Sequence, residues 1–195
     1  MPWVFPGRER ERAARQLEGD AAISDSIHVC GLALVPTILK RSGARHLMTI
    51  INEQALLETP AEVLAGNHLR LAVNDIVAPQ PGRTLPAEDH IAQLLNFVAR
   101  WDRQAPLLIH CWAGISRSTA GAFISLCALN PATSEQRIAE TLRQASPTAD
   151  PNKLMVEHAD ALLGRNGRMI AAVEAIADYE LAPMGRPFWL PARIA

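Results

Sequence analysis

No excess of charge of either sign marks this 195-residue chain: 19 Lys and Arg stand against 20 Asp and Glu, for a formal net charge of −1. Such a balance lacks the electrostatic footprint with which proteins usually hold nucleic acid, so nucleic acid is not expected as a partner. Nor is any apolar run long enough for a membrane span. The longest mostly apolar stretch, Ile27 to Leu39, is interrupted by His28 and Pro36, and the N-terminal MPWVFPGRERER lacks the apolar centre of an export signal. A soluble, cytoplasmic protein with no membrane partner is expected. Cysteine is scarce and odd in number: Cys30, Cys111 and Cys127 argue for free thiols rather than a disulfide frame. No His or Cys pair has the spacing of a zinc site, so neither metal nor cofactor is expected. The abundance of Ala (32 residues) and of Arg over Lys (17 against 2) is a composition bias without functional content.

What is present is a globular pattern. Hydrophobic residues make up 49% of the chain, enough to close one sizeable core. Residues 1–22 read as a loose N-terminal arm, residues 23–181 as the main domain, and residues 182–195 as a tail packed on it through Phe188 and Trp189. Strand-like runs alternate with helical ones: a strand from Ile27, a helix through Leu34 to Arg41, a strand His46 to Ile51, a short helix Pro60 to Ala65 and a strand Leu69 to Val73. The alternation predicts a mainly parallel sheet of four to five strands flanked by helices. Residues 76–85 form a Pro/Gly loop. A helix entered at Pro86 follows, with Ile91, Leu94, Leu95, Val98 and Trp101 on its apolar face. Pro106 to Ile109 reads as a buried central strand. Beyond it the chain is helical: Ser118 to Leu129, a helix opened by a capping box of Thr133 and Gln136, one from Asp150-Pro151 to Gly164 in which His158 is a packed or rim residue, and a last helix Arg168 to Glu180.

One stretch stands apart: His110-Cys111-Trp112-Ala113-Gly114-Ile115-Ser116-Arg117-Ser118, between the central strand and a helix. A loop entering a helix N-terminus aims successive N–H groups into one concavity, where the helix dipole adds partial positive charge; such a loop receives a tetrahedral oxyanion such as phosphate. Gly114 lets the backbone bend close to the ligand. Arg117 can present a planar fork to two phosphate oxygens, which Lys could not copy. The same groups stabilise Cys111 as a thiolate, the form in which it is a nucleophile.

This stretch matches H-C-x5-R-[S/T], and the chain resembles the cysteine-dependent protein tyrosine phosphatase superfamily, most of all its dual-specificity branch. The resemblance extends weakly over residues 25 to 163, through Asn74-Asp75 upstream and Ser-Pro-Thr-Ala-Asp-Pro-Asn (146–152) downstream, with Ser146 where the family often has Arg. It implies a phosphatase-like three-layer sandwich and a phosphocysteine mechanism without metal. Cys111 would be the nucleophile, the backbone of Trp112, Ala113, Gly114, Ile115, Ser116 and Arg117 the phosphate cradle, and Asp75 the general acid. His110 would orient the loop, and Ser118 would stabilise the departing thiolate. Each residue also has an ordinary reading: Asp75 as a loop-start cap, His110 as a packed histidine, Ser118 as a first-turn cap, Trp112 as pocket wall or core. Glu88 and Asp89 are rival acids, explained already by their place in a helix first turn. Cys127 is a core residue, and Cys30 a packed thiol with a redox partner to Cys111 as the alternative. The resemblance favours phosphotyrosine or mixed phosphoprotein substrates and leaves small phosphomonoesters open. The uncharged residues between Cys111 and Arg117 disfavour a polyanionic lipid, and the only Tyr, Tyr179, is too near the C-terminus for an aromatic clamp. A non-catalytic phosphate-binding module is the alternative from another class.

Overall fold

The computed structural model describes residues 24–194; the arm expected over residues 1–22 lies outside them. Five strands form one mixed sheet: β1 (Ser26–Gly31), β2 (His46–Ile51), β3 (His68–Ala72), β4 (Leu107–Cys111) and β5 (Phe188–Pro191), in the order β3-β2-β4-β1-β5. The first four run parallel, and β5 lies antiparallel on the outer edge of β1. Strands β1, β2 and β4 are buried along their whole length. This is why they read in sequence as mostly apolar runs rather than as strict alternation.

Among the described residues six helices cover the sheet: α1 (Val35–Ser42), α2 (Glu88–Arg100), α3 (Arg117–Leu129), α4 (Glu135–Ala145), α5 (Lys153–Leu162) and α6 (Arg168–Ala175). Helix α1 packs on one face through Val35, Ile38 and Leu39 against Cys30, Leu47 and Leu108; the other five share the larger core on the opposite face. The expected three-layer sandwich is therefore present. Helix α3 is buried from Arg117 to Cys127, as a helix apolar on all sides must be. Its small residues let it lie directly on the sheet: a Cβ on Gly121 would come within 2.8 Å of Ile50 Cδ1. The axis of α3 is thereby fixed relative to β4, and its N-terminus meets the C-terminal end of that strand.

The local differences from expectation have physical causes. Residues 60–65 form a turn and not a helix. Val63 N–H reaches Pro60 O at 3.0 Å, and a separate 3-10 turn follows at Ala65–Asn67, too few residues to offset helix nucleation. The cap of α4 is Ser134, whose Oγ accepts from Arg137 N–H, because Thr133 instead donates its hydroxyl to Ile194 O in the tail. Helix α6 stops at Ala175 rather than Glu180; Arg143 takes the carbonyl of Ile176, and Glu180 N–H turns back to Pro147 O. Within residues 182–195, Phe188–Pro191 form strand β5 on the edge of β1.

Candidate active site

The Cys111 side chain leaves the C-terminal end of β4 on the face covered by α3, 1% exposed. Its Sγ lies 3.1 Å from Ser118 Oγ in the first turn of α3 and accepts from Gly114 N–H at 3.3 Å. The loop between them turns on Gly114, whose φ of +75° favours glycine, and a Cβ there would stand 2.8 Å from Cys30 C and Gly31 N at the end of β1.

The outer side of the loop is tied down carbonyl by carbonyl. Trp112 O accepts from Leu32 N–H at 3.1 Å, Ala113 O from Gly185 N–H at 2.8 Å, Ile115 O from Asp150 N–H at 3.0 Å, and Ser116 O from Ala120 N–H at 2.9 Å and Asn152 N–H at 3.4 Å. Thr119 adds its hydroxyl to the carbonyls of Ile115 and Ser116. These outer hydrogen bonds fix the curvature of the loop. Trp112, left open between wall and core by the sequence, is 57% exposed and so belongs to the rim.

Arg117 is 6% exposed; its Nη1 donates to Val73 O at 2.9 Å, while its buried Nε has no hydrogen-bond partner among the described residues. Nε lies 3.7 Å from Asp75 Oδ2, an ion-pair distance too long for a hydrogen bond. A buried guanidinium N–H without an acceptor is costly unless something arrives to take it, and a phosphate oxygen is such an acceptor. Asp75 itself follows β3. Its Oδ1 accepts from Ser116 Oγ at 2.7 Å and from Asn152 Nδ2 at 2.9 Å. Ser116 and Asn152 are thus side-chain supports of Asp75. The sequence places Ser116 in the loop only for its backbone and Asn152 only in a downstream motif. Beside them opens a cavity of about 390 Å³ lined by Asp75, Val77, Arg83, Ser116, Pro151 and Lys153 among others. Glu88 and Asp89, the rival acids, lie in the first turn of α2, as their ordinary reading requires.

His110 is fully buried. Its Nε2 is 2.8 Å from Thr49 Oγ1 and its Nδ1 3.3 Å from the carbonyl oxygen of Cys111. Burial, with smaller effects of His68 and Arg117, outweighs that hydrogen bond and lowers its pKa to about 4, so the ring is neutral. Cys30 registers with His110 and faces α1, whereas Cys111 points to the opposite face of the sheet. Cys30 packs in the core on the α1 side, the first of its two readings, and burial, then the neighbouring Cys111, pushes its thiol up to about 12. Cys127 lies in the main core, its thiol also raised to about 12 by burial. His158 is a rim residue, 3.3 Å from Pro86 O.

The departure at Ser146 has a counterpart that sequence reasoning missed. Arg143, one turn earlier on α4, donates to the carbonyls of Ser146 at 3.0 Å and of Pro147, Ala149 and Ile176 at 2.6 Å each. It fastens the segment whose Asp150 and Asn152 hold the loop. Among the described residues no group of His, Cys, Asp or Glu could hold a metal ion, and no helix is long and apolar enough to cross a membrane.

No protein-family model matches this sequence, and a search of curated proteins returns no relative. Solved structures do match. The structure of DUSP15 superposes with a TM-score of 0.52 at 18% identity, covering 77% of this chain and 89% of that one. The Cydia pomonella PTP-2 phosphatase gives 0.52 at 17%, covering 69% and 84%. The Yvh1 phosphatase domain from Chaetomium thermophilum gives 0.51 at 19%, covering 73% and 93%. The chain thus has the fold of the dual-specificity branch of the cysteine-dependent protein tyrosine phosphatases.

Proposed function

We propose that the protein is a phosphomonoester hydrolase that acts through a phosphocysteine, with phosphorylated protein side chains as its substrate class. The observation that carries this is the seat of Cys111: a sulfur flanked by Gly114 N–H and the Ser118 hydroxyl, at the start of a helix whose first residue is an arginine with a buried Nε that has no hydrogen-bond partner among the described residues. The arrangement supports a thiolate and the dianion of a phosphate ester above it.

The N–H groups of residues 112–117 and the Arg117 fork hold the three equatorial oxygens. The Cys111 thiolate attacks phosphorus in line, an S–P bond forms and the P–O ester bond breaks, while Asp75 gives its proton to the leaving oxygen. In the second half water attacks the same phosphorus, Asp75 now taking its proton. The S–P bond breaks, phosphate leaves, and the Ser118 hydroxyl hydrogen-bonds the thiolate as it is released. Asp75 borders both the loop and the adjoining cavity, so the leaving group has room on the side from which the proton comes. The exposed Trp112 and the 38% exposed side chain of Asp75 put this mouth at the surface, where a protein-borne phosphate can reach it.

The test is steady-state turnover of an aryl phosphate. Wild type should release phenol and phosphate, be inhibited by vanadate and be indifferent to chelator. Cys111→Ser should lose turnover while keeping its thermal transition. A Cys111→Ser protein that still turns over, or a wild type that binds vanadate and releases nothing, refutes the hydrolase.

A further inference from the structure

Thr49 stands in the middle of β2 between two imidazoles from the flanking strands. Its Oγ1 is 2.8 Å from His110 Nε2 on β4 and 2.8 Å from His68 Nε2 on β3, and His68 Nδ1 is 3.0 Å from Thr59 Oγ1. Thr49 registers with His110, and Leu47 with His68, so these side chains leave the sheet on the α1 face. The row crosses three strands and ends at the carbonyl of Cys111, 3.3 Å from His110 Nδ1.

The protons of this row follow by elimination. A carbonyl only accepts, so His110 Nδ1 carries the hydrogen that reaches Cys111 O. The ring is neutral, which leaves Nε2 bare, and a bare nitrogen 2.8 Å from Thr49 Oγ1 takes the hydroxyl proton. That hydroxyl has no second hydrogen to give, so Thr49 Oγ1 accepts from His68 Nε2–H. His68 is neutral too, its pKa lowered to about 4 by burial and then by Arg70. Its Nδ1 is therefore bare and accepts from the Thr59 hydroxyl. Hydrogen bonds thus run one way, Thr59 to His68 to Thr49 to His110 to Cys111 O, and the reverse direction would leave the carbonyl facing a lone pair. The peptide between Cys111 and Trp112 is planar and trans, so its C=O and N–H point in opposite directions and holding one fixes the other.

We propose that Thr49 and His68, with Thr59 behind them, are positioning residues of the phosphate loop: a one-way hydrogen-bond chain that selects the Nδ1–H tautomer of His110 and through it sets the direction of the Trp112 N–H. The role of that N–H in holding phosphate rests on the function proposed above; the tautomer does not.

Two-bond ¹H–¹⁵N spectra of the histidine-labelled full chain at pH 7, with His68 and His110 assigned from single His→Gln variants, read the chain directly. His110 should be the Nδ1–H tautomer and His68 the Nε2–H tautomer. Thr49→Val should release His110 from its single tautomer and weaken vanadate binding by about tenfold, the effect of one lost hydrogen bond. Thr49→Ser, which keeps the hydroxyl, should stay within twofold of wild type with an unchanged spectrum. An Nε2–H tautomer for His110 in the wild-type chain overturns the proposal whatever the activity. Correct tautomers with unchanged vanadate affinity in Thr49→Val overturn the positioning role. Correct tautomers in a chain that binds no oxyanion uphold the chain of bonds and overturn the phosphate site.

Discussion

The N–H of Gly185 donates to the carbonyl of Ala113 at 2.8 Å, and a Cβ on Gly185 would stand 2.7 Å from the carbonyl oxygen of Gly114. The segment leading into β5 therefore runs across the outside of the 112–117 loop at backbone contact, and Met184 just before it reaches within 3.0 Å of where a Cβ on Gly31 would be. A methyl group at position 185 has backbone on the other side and nowhere to go. Gly185→Ala should lower kcat/KM for an aryl phosphate by about tenfold or more with a modest fall in Tm, since the loop and not the core must shift. Gly114→Ala should be the more damaging, because its φ of +75° and its 2.8 Å approach to β1 penalise the same methyl twice. Parallel kinetics and thermal melts on the two variants check the ranking.

Asp75 is held by hydrogen bonds from two side chains, Ser116 and Asn152, and each can be removed separately. Asp75→Asn keeps an oxygen for Ser116 and Asn152 but has no proton to give. It should lower kcat by about 10² to 10⁴ with little change in KM, more for phenyl phosphate than for an ester with an acidic leaving group. Ser116→Ala and Asn152→Ala leave the carboxylate in place but unsupported and should each cost about tenfold. A kcat for Asp75→Asn that does not depend on the leaving group would move the acid elsewhere.

Removing residues 182–195 tests the tail. It contributes β5 to the edge of β1, and Asn130 is bonded to it from both ends of its amide, Nδ2 to Ala192 O at 2.9 Å and Oδ1 from Ile194 N–H at 2.9 Å. The shortened chain should lose several degrees of Tm and most of its activity together, because the Gly185 strap goes with the strand. Full activity after the deletion would show that the phosphate loop keeps its shape without the strap.

The parts of this fold that were legible in sequence are those specified by local chemistry. β1, β2 and β4 announce themselves as mostly apolar runs, and Cys111 through Ser118 as a loop between a strand and a helix. Asp75 was legible as an acid at a strand end, but not its dependence on Ser116 and Asn152, which lie 41 and 77 residues away in the chain. β5 was invisible as a strand for a similar reason. It is four residues ending in a proline, and only pairing with β1, some 160 residues earlier, makes it extended. Thr49, a polar residue in an apolar strand, was the one local signal of the His110 chain, and it gains meaning only when β3 and β4 flank it. Arg143 carries no local signal at all, because the carbonyls of Ser146, Pro147 and Ala149 meet it only once the chain beyond α4 has turned back.

The buried histidines set the acid limit of stability. His110 and His28 are both lowered from about 6.5 to about 4, His110 chiefly and His28 wholly by burial. A group whose folded pKa lies below its unfolded one binds fewer protons when folded, so stability rises with pH across the interval between the two values. The folded state should therefore hold its full stability above pH 7, lose it progressively as pH falls from about 6.5 to about 4, and level off below as far as these groups are concerned. Lowering a ring from about 6.5 to about 4 is worth about 3 kcal/mol, against a total of roughly 5–15 kcal/mol for a typical domain. His68 acts in the same direction. Urea melts at half-unit steps from pH 8 to pH 4.5 measure the slope, and His28→Gln, remote from the phosphate loop on β1 beside Ser26, should flatten it while leaving aryl phosphate turnover at pH 7 intact. A stability that stays constant from pH 7 to pH 5, or a His28→Gln curve as steep as wild type, would mean that these rings are charged in the folded chain.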